Sequence, residues 1–575
     1  MKNFEHTHFG FAEQISRIRF LVFVFVLLAL IGIARLFYLM IIKNDFYAEA
    51  ALGQHWARDV IQPKRGKIYV KDEITGELYP IADNQKMSLI SAAPEEIENK
   101  KEAASRIGPI LNIKEEKIIN LLENNHTYVV LAKAVSYEIA EKIKSFNIKG
   151  VNISDQYVRY YPEGSLAAHV LGFVNADGQG NYGLEQYFNP ELYGKPGTYK
   201  AEIDPTGKKI AFGKTVLKEA ENGTDIVLTI NRDVQKKAEQ ILSSQVKRFS
   251  AEGGSMIVMD PESGEILAMA NVPTFDPNKY SSVQNFEIFK NSAAQGLYEP
   301  GSIFKVITMA AGLDSGKIEP ETEYKDTGKI ILDGHKIQNS DRKAHGLVTM
   351  TQVLEKSLNT GTTFVMQQVG KLPFYEYLKK FGFGKKTGIE QPIEESGVIY
   401  KPSEVNDHTY ATISFGQSIT TTPIQMISSF AMVANGGKLI RPHLVAETIL
   451  EDGRSLKTDK RPITEVISKE TTAKLKRMMV AVVENGHGKQ AAVSGYTVAG
   501  KTGTAQVPKK DGLGYDPYRN IGSFVGFGPA ESPRFVVLAK IDSPKGVPWA
   551  ETTAAPIVGQ MLDFLFKYYQ IPPSS

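Results

Sequence analysis

Hydrophobic residues are concentrated first in one long segment near the start of the chain. Residues 20–34 are apolar without interruption, and after Arg35 the apolar run continues through residues 36–42. A helix of this length is roughly 30–35 Å long, which is enough to cross a bilayer. The pattern therefore predicts a transmembrane anchor at 20–42, preceded by a short tail at 1–19.

The charges around this segment predict its orientation. Arg17 and Arg19 precede it closely, so the positive-inside rule places the tail in the cytoplasm and the bulk of the chain on the periplasmic or extracellular side of the cytoplasmic (inner) membrane. Ala48-Glu49-Ala50 resembles a signal-peptidase site, but the apolar stretch exceeds the usual signal core of about 7–15 residues, which favours an uncleaved anchor. Arg35 either snorkels to the headgroups or contacts another membrane helix, and both interpretations stay open.

Between residues 43 and 223 the pattern alternates between charged helices and short strands. Apolar residues at helical spacing predict surface helices at 95–107, 114–123 and 134–146, the first of them closed by Gly108-Pro109. Residues 157–161 alternate as a strand. No catalytic group stands out, so this region is interpreted as a spacer or docking domain.

Residues 224–575 have longer apolar elements. Period-two alternation and apolar runs predict strands at 225–231, 254–260, 265–271, 523–527 and 535–540. Helical spacing predicts helices at 233–242, 304–313, 352–369 and 553–569. Strands at both ends with helices between them predict a sheet covered by helices, an α+β or mixed α/β fold.

Composition narrows the chemistry. The 575 residues contain no cysteine, which excludes disulfides, thiol catalysis and cysteine-ligated zinc. A net charge of +3 gives no electrostatic reason to expect a nucleic-acid partner. The ten histidines form no His-Glu-x-x-His cluster, so we expect neither a metal site nor a cofactor.

One serine stands at the start of the apolar helix 304–313. Ser302 and Lys305 are three positions apart, so on a helix they share a face and a neutral lysine could take the hydroxyl proton. Pro300-Gly301 marks a tight turn into a helix whose N-terminal dipole favours an oxyanion. The same Ser-x-x-Lys spacing at Ser244 and Ser340 lies in polar surroundings and is interpreted as solvated surface.

Two further polar elements follow in the chain. Ser357 and Asn359 lie in the predicted helix 352–369, which we expect to break at Asn359-Thr360-Gly361; alone, they would be ordinary polar residues of a helix. Lys501-Thr502-Gly503 lies on a predicted strand, where glycine lets a ligand backbone approach and lysine can hold an anion. A second Lys-Thr-Gly, at Lys386, follows a glycine-rich turn and is predicted to be a solvated loop.

The three elements in this order resemble the active-site motifs of penicillin-interacting serine enzymes. The whole chain resembles a class B penicillin-binding protein, a monofunctional peptidoglycan D,D-transpeptidase of the division type. Outside the three motifs the resemblance is carried by Arg65-Gly66-Lys67-Ile68, Arg159-Tyr160-Tyr161-Pro162, residues 168–172, Gly183-Leu184-Glu185, Glu202-Ile203-Asp204, Phe415-Gly416-Gln417-Ser418 and Thr422-Pro423. It implies a penicillin-recognising serine transferase fold at 224–575 on an elongated, dimerisation-type pedestal at 43–223.

The resemblance also implies roles for the catalytic residues. Ser302 would attack the D-Ala-D-Ala carbonyl of a stem peptide, and β-lactams would acylate the same hydroxyl. Lys305 would take its proton. Ser357 would relay a proton to the leaving amine, and Asn359 would bind the substrate amide. Lys501 would hold the carboxylate of the donor strand.

Substrate and partners are implied in the same way. Thr502, Gly503 and Thr504 would bind the donor terminus beside Lys501, and the backbone amides of Ser302 and Thr504 would form an oxyanion hole. The substrate would be peptidoglycan stem peptides. A SEDS-family glycosyltransferase and other division or elongation proteins are the implied membrane partners.

Two segments depart from the family pattern. After Ile68 the usual Asp-Arg-Asn-Gly turn is replaced by residues 69–76. His487 occupies the middle of a Gly-x-Gly where the resemblance leads us to expect threonine, and it is interpreted as a plain loop histidine or as a functional one.

Three alternatives share some of these features. A membrane-bound serine β-lactamase has the same three motifs but needs a carboxylate-activated water. A catalytically inactive scaffold for wall synthesis would not need the motifs. An elongation-type transpeptidase differs only in cellular role, and the compact region after the last motif favours the division type.

Overall fold

The computed structural model describes residues 10–43, 56–73, 75–124, 127–202, 215–458, 464–509, 514–547 and 549–574. Ala48-Glu49-Ala50 and Ile203-Asp204, both named above, lie outside the described residues. The chain divides into two compact units, one formed by Met1–Pro63 with Lys195–Glu221 and the other by Lys64–Gly194 with Asn222–Ser575.

The strands are, in chain order, β1 (Trp56–Ile61), β2 (Ile68–Lys71), β3 (Leu78–Ala92), β4 (Val129–Val135), β5 (Val151–Tyr160), β6 (Phe173–Val174), β7 (Gly180–Asn181), β8 (Gly197–Glu202), β9 (Thr215–Lys218), β10 (Asp225–Leu228), β11 (Gly253–Met259), β12 (Ile266–Val272), β13 (Glu323–Asp326), β14 (Lys329–Leu332), β15 (His335–Gln338), β16 (Gly346–Thr349), β17 (Lys438–Leu439), β18 (Val445–Ile449), β19 (Ser455–Lys457), β20 (Thr464–Glu465), β21 (Ala499–Pro508), β22 (Tyr515–Gly528) and β23 (Phe535–Asp542).

The α-helices are α1 (Gly10–Phe37), α2 (Lys100–Leu111), α3 (Glu115–Glu123), α4 (Tyr137–Lys144), α5 (Ala168–Leu171), α6 (Gly183–Tyr187), α7 (Asn189–Tyr193), α8 (Arg232–Arg248), α9 (Ser292–Gln295), α10 (Lys305–Asp314), α11 (Met350–Glu355), α12 (Asn359–Val369), α13 (Lys371–Lys380), α14 (Asp407–Ile413), α15 (Pro423–Ala434), α16 (Lys469–Glu484) and α17 (Ala554–Tyr568).

The first unit contains the apolar helix and a small sheet. Helix α1 continues as a π-helical turn at Tyr38–Ile42. Among the described residues, one helical segment, Arg19–Ile41, is long and apolar enough to cross a membrane, and its side chains are exposed in the structure. The predicted single-pass anchor therefore agrees with the structure. The sheet has the antiparallel order β1-β8-β9.

The second unit contains a seven-stranded sheet that combines strands from residues 68–160 with β10, β18 and β19 from the region of the serine motifs. Its order is β19-β18-β10-β2-β3-β4, and β5 also pairs with β3. Helices α2, α3 and α4 bury Ile107, Ile118 and Ile143 in a separate apolar core with Ile90 of β3.

The predicted bounds of two helices in this region are wrong, and the helix predicted at 95–107 spans Lys100–Leu111. Helix α2 does not end at Gly108-Pro109 but continues to Leu111, because the fixed φ of proline is helical and the ring costs only one backbone hydrogen bond so close to the end. The helix predicted at 134–146 spans Tyr137–Lys144, since Ser136 is extended and its hydroxyl caps the helix through Ile139 N–H.

A five-stranded antiparallel sheet, in the order β12-β11-β23-β22-β21, organises the rest of the second unit. Alternate residues of β11 face different cores: Met256 and Val258 pack with α8 and α17, whereas Ile257 and Met259 pack with α10, α12 and α15. Helices therefore cover both faces of this sheet, as the alternation in the sequence predicts. Lys305 begins α10 on one face, and β21 is an edge strand.

Candidate active site

Ser302 lies in a tight turn that is packed from two sides. It belongs to a 3-10 turn, Gly301–Phe304, and the backbone N–H of Lys305 at the start of α10 donates to its carbonyl. A Cβ on Gly301 would lie 2.8 Å from the carbonyl oxygen of Thr504, and a Cβ on Gly416 would lie 2.2 Å from the carbonyl oxygen of Gly301. Both glycines have positive φ, so their lack of a side chain is what allows this approach.

Three residues that are distant in the chain meet at one hydroxyl. Lys305 Nζ lies 3.2 Å from Ser357 Oγ and 2.5 Å from the Ser357 carbonyl oxygen. Lys501 Nζ lies 3.1 Å from the same Ser357 Oγ. The structure thus brings together one residue from each of the three motifs predicted from the sequence.

Both lysines are buried, and this changes their protonation. Lys305 and Lys501 are each 0% exposed. Burial lowers the pKa of Lys305 well below its ordinary value, and the neighbouring Lys501 lowers it further. Burial also lowers the pKa of Lys501, to about 7, against an opposing effect of the Glu551 carboxylate. Burial therefore favours the neutral form of Lys305, whereas Lys501 changes its protonation near neutral pH.

Ser357 is held in a conformation that its sequence position does not suggest. The helical stretch breaks at residues 356–358, between α11 and α12, and not at Asn359-Thr360-Gly361 as expected. Ser357 has φ of +54°, in the left-handed region that non-glycine residues rarely adopt. This break turns the hydroxyl and carbonyl of Ser357 towards the two lysines.

Asn359 and the residue after it are fixed by a polar network behind the site. The Asn359 side-chain amide donates to the carbonyl oxygen of Gln338 at 2.8 Å. Thr360 donates to the buried carboxylate of Asp326 at 2.8 Å, and the Asn339 amide donates to the other oxygen of that carboxylate at 2.9 Å. Sequence reasoning missed Asp326, because nothing in the local pattern shows that strands β13 and β15 lie behind α12.

The Lys-Thr-Gly element lies on the edge strand β21, as predicted. Lys501 Nζ also contacts the Thr502 carbonyl and hydroxyl oxygens at 3.1 and 3.3 Å. A Cβ on Gly503 would lie 2.9 Å from the carbonyl oxygen of Pro300, so the strand closely approaches the Ser302 turn. The Thr504 hydroxyl accepts a hydrogen bond from Ala550 N–H at 3.2 Å.

Glu299 is a second residue that sequence reasoning missed. Its carboxylate accepts hydrogen bonds from Ser418 N–H at 2.8 Å and from the Tyr515 hydroxyl at 2.9 Å. Burial raises the pKa of Glu299, while these two donors oppose the shift. The carboxylate thus ties the chain just before Ser302 to the Gly416-Gln417-Ser418 segment and to β22. A carboxylate three residues before the candidate nucleophile Ser302 is a sequence feature that could have identified Glu299 as part of the site.

The alternative copies of the motifs lie elsewhere. Ser244 is on α8, and its hydroxyl donates to the Ile241 carbonyl oxygen of the same helix. Ser340 and Lys343 are exposed in a turn, and Lys386 is exposed in the loop after α13. The choice of Ser302 and Lys501 by sequence context agrees with these positions.

The motifs assigned to the pedestal meet at one buried carboxylate. Glu185 is fully buried; one of its oxygens lies 2.7 Å from Arg65 Nε and the other lies 2.6 Å from Arg159 Nε. The Tyr161 hydroxyl contacts the second oxygen at 3.2 Å. Burial alone would raise the pKa of Glu185, but the two guanidinium groups hold it below its usual range. This cluster joins three sequence motifs. Loss of one partner would destabilise the fold, because it would leave an uncompensated buried charge.

In the described part of the chain, no group of three or more histidine or carboxylate side chains is arranged to hold a metal ion.

Comparison with known proteins gives two domain matches and relatives that match over most of their length. The Penicillin binding protein transpeptidase domain matches residues 254–563, and the Penicillin-binding Protein dimerisation domain matches residues 60–228. Stage V sporulation protein D of Bacillus subtilis is 34% identical over 95% of this chain and 85% of the relative. Penicillin-binding protein PbpB of Mycolicibacterium smegmatis is 33% identical over 82% of this chain and 74% of the relative.

Two solved structures resemble 90% of this chain. Penicillin binding protein 3 of Mycobacterium tuberculosis, complexed with aztreonam, is 26% identical and superposes with a TM-score of 0.70 over 90% of this chain and 98% of that chain. A peptidoglycan synthetase from Bifidobacterium adolescentis is 26% identical, with a TM-score of 0.73 over the same shares. The chain therefore belongs to the class B penicillin-binding proteins, the family that joins a transpeptidase domain to a penicillin-binding-protein dimerisation domain.

Proposed function

We propose that this protein is a peptidoglycan D,D-transpeptidase that cross-links stem peptides through an acyl-enzyme on Ser302. The observation that carries the proposal is the convergence of Lys305 and Lys501 on Ser357 Oγ, next to the turn that holds Ser302. Lys305 directly follows the turn that holds Ser302, and the strand of Lys501 closely approaches that turn, so two buried amines and a relay hydroxyl are available for acyl transfer at Ser302.

In the first half-reaction, Ser302 Oγ attacks the carbonyl carbon of the penultimate D-alanine. Neutral Lys305 takes the hydroxyl proton, and the backbone N–H groups of Ser302 and Thr504 stabilise the oxyanion. The peptide C–N bond then breaks. Lys305 returns the proton through the Ser357 hydroxyl to the leaving nitrogen, and D-alanine departs with a neutral ester left on Ser302.

The second half-reaction reverses these roles. The amine of a neighbouring stem peptide attacks the ester carbonyl and loses a proton by way of Ser357 and Lys305. The ester bond to Ser302 breaks, its oxygen regains a proton, and a new peptide cross-link is released. In the first half-reaction, Lys501 with Thr502 and Thr504 holds the donor carboxylate until D-alanine leaves, and Gly503 gives the donor backbone room beside β21. Asn359 binds the substrate amide.

The domain division and the membrane arrangement belong to the same proposal. Residues 43–223 form the pedestal and 224–575 the transpeptidase domain, with 20–42 as the anchor and 1–19 on the cytoplasmic side. Arg17 and Arg19 support this orientation through the positive-inside rule. A polytopic SEDS-family glycosyltransferase is the proposed membrane partner, and Arg35 is the residue of the anchor that would contact it.

Septal wall synthesis is the proposed cellular role, with elongation as the alternative. A sporulation role is a further candidate, favoured by the 34% identity to the protein named Stage V sporulation protein D. A fluorescent fusion distinguishes the three roles: septal rings in growing cells support the first, side-wall patches the second, and expression confined to sporulating cells the third.

The enzymatic claim is tested by reconstitution with polymerised stem-peptide substrate. We expect the purified full-length protein to release D-alanine and form cross-linked dimers, and we expect Ser302→Ala to abolish both products. Ser244→Ala is the matched control, because Ser244 has the same Ser-x-x-Lys spacing but lies on α8. Unchanged cross-linking by Ser302→Ala would refute the mechanism.

A further inference from the structure

His487, which the sequence left with two interpretations, has a charged partner in the structure. It lies in the loop between α16 and the 3-10 turn at Lys489–Ala491. Its Nδ1 atom lies 2.7 Å from the Oε2 atom of Glu551, in the segment between β23 and α17. The two side chains are 52% and 41% exposed, so the pair is accessible to solvent. This contact favours the interpretation of His487 as a functional residue over that of a loop histidine without a role.

The Glu551 segment contacts the strand that carries the Lys-Thr-Gly motif. Ala550 N–H donates to the Thr504 hydroxyl oxygen at 3.2 Å. A Cβ on Gly522 of β22 would lie 2.6 Å from the Thr553 hydroxyl oxygen and 3.4 Å from the Ala550 Cα. The segment is thus packed directly against β21 and β22, and a displacement of Glu551 would disturb the hydrogen bond between Ala550 and the Thr504 hydroxyl.

The His487 loop contacts the opposite wall of the site. A Cβ on Gly486 would lie 2.6 Å from the carbonyl oxygen of Glu355 and 2.9 Å from its Cα. Glu355 is the last residue of α11, two positions before Ser357. The contact between His487 and Glu551 therefore links the backbone that leads to Ser357 with the segment that supports Thr504.

The pair also carries charge that acts on the site. The Glu551 carboxylate favours the protonated form of Lys501 and so opposes the effect of burial. The charged residues nearest to His487 in the chain are Glu484 and Lys489, and Glu355 of α11 is the charged residue whose backbone lies against Gly486. Of the carboxylates of Glu355, Glu484 and Glu551, it is that of Glu551 whose charge acts on Lys501.

We propose that His487 and Glu551 form a positioning pair for the carboxylate-binding end of the site, where the ligand is the terminal carboxylate of the donor peptide or of a β-lactam. His487 fixes the Glu551 carboxylate, and Glu551 in turn favours the protonated form of Lys501 and keeps the 549–553 segment against Thr504. This inference rests on the proposed transpeptidase function, since it gives Lys501 the role of anion holder.

The test measures the pH dependence of acylation by a fluorescent penicillin in the full-length protein. Glu551→Gln removes the charge that favours protonated Lys501, so we expect the alkaline limb of the rate profile to move to lower pH. Acylation at about pH 8 should fall roughly threefold or more relative to the wild type, with a much smaller change at about pH 6. His487→Gln should shift the limb in the same direction by less, and the double variant should resemble Glu551→Gln.

Two variants separate positioning from general damage. Asp563→Asn is the matched control, since it removes a carboxylate paired with Lys567 on the exposed face of α17, and it should leave the profile unchanged. Glu551→Asp keeps the charge and should restore the limb in part. A Glu551→Gln profile that is reduced in height but unshifted along the pH axis would overturn the proposal.

A second measurement does not depend on catalysis. In a Ser302→Ala background, the titration of Lys501 can be followed by NMR of isotope-labelled lysine, with Lys501→Arg used to assign the signal. We expect the Lys501 pKa to be lower when Glu551 is replaced by Gln. An unchanged Lys501 pKa would contradict the pair's role even if the wild type proved to be a transpeptidase, and a lowered pKa would support it even if the wild type did not cross-link.

Discussion

Lys501 and Ser357 are separated by 144 positions in the chain, yet Lys501 Nζ lies 3.1 Å from Ser357 Oγ. Lys305 Nζ lies 3.2 Å from the same oxygen. A single hydroxyl thus links two buried amines, and two cations so close together in a buried site repel each other. The pair is therefore expected to share its protons unequally, with one amine acting as base and the other remaining a cation.

The first prediction concerns the pH profile of acylation. Burial and Lys501 lower the pKa of Lys305, and below that pKa the amine is protonated and cannot accept the Ser302 proton, so the rate rises as pH rises through it. Lys501, with a pKa of about 7, loses its charge as pH rises further, and the rate then falls. We expect a bell-shaped dependence of the second-order acylation rate constant, which reports the free enzyme.

Lys501→Arg is the control for this profile. Arginine stays charged across the measured range, so the variant should be slower but should lose the falling limb. A falling limb near pH 7 that persists in Lys501→Arg would assign the limb to another group and contradict the role given to Lys501.

The second prediction concerns the packing of the Ser302 turn. Gly416→Ala would place a Cβ 2.2 Å from the carbonyl oxygen of Gly301 at a φ of +81°. We expect a loss of about 2 kcal/mol or more in stability, together with slower acylation, because the turn that holds Ser302 must shift. Thermal unfolding and penicillin labelling measure the two effects.

Gly453→Ala provides a matched comparison. Gly453 has the same φ of +81°, but a Cβ there would meet nothing within 4 Å. It should show only the cost of the backbone conformation and no loss of acylation. Equal effects of the two substitutions would show that the contact with Gly301 does not matter.

The third prediction concerns the network behind Asn359. Asp326→Asn replaces one acceptor oxygen by an NH2 group, which is a donor. If that group replaces the first oxygen, it faces the Thr360 hydroxyl and the Gly328 N–H. If it replaces the second, it faces the Asn339 amide and the His345 N–H. We expect a destabilisation on the order of 3 kcal/mol and weaker substrate binding, since α12 begins at Asn359. Asp452→Asn, at an exposed ion pair with Arg454, should change stability by less than about 0.5 kcal/mol. Comparable unfolding temperatures for the two variants would refute the positioning role of Asp326.

The fourth prediction separates the anchor from the chemistry. Arg35→Leu makes the membrane segment more apolar and leaves the second unit unchanged, so penicillin labelling should stay within about twofold of the wild type. Co-purification with the proposed membrane partner should decrease. Leu36→Ala, at the neighbouring position, should affect neither quantity. Lost acylation in Arg35→Leu would show that anchor and active site are not separable.

Much of the fold followed from local patterns. The anchor was predicted from its uninterrupted apolar run. The strands of the five-stranded sheet and the placement of Lys501 on β21 were predicted because buried strands leave apolar runs or period-two alternation in the sequence. Ser302 and Lys305 were paired in the sequence because only three positions separate them, and the structure places Lys305 directly after the turn that contains Ser302.

The parts that were missed depend on long-range contacts. The left-handed conformation of Ser357 is unfavourable for serine by itself and is imposed by the packing of α11 and α12. Asp326 reaches Thr360 across 34 positions, and His487 reaches Glu551 across 64, so no local pattern announces either contact. Gly108-Pro109 was predicted to end the helix because both residues are helix breakers, but the helix continues to Leu111.

The central claim is that Ser302 is the residue acylated in this site. The most direct test is intact-protein and peptide mass spectrometry after incubation with benzylpenicillin. We predict a single, long-lived adduct on the peptide that contains Ser302, absent in Ser302→Ala and present in Ser244→Ala. An adduct on another residue, or one that is lost within seconds as a β-lactamase would lose it, would contradict the account.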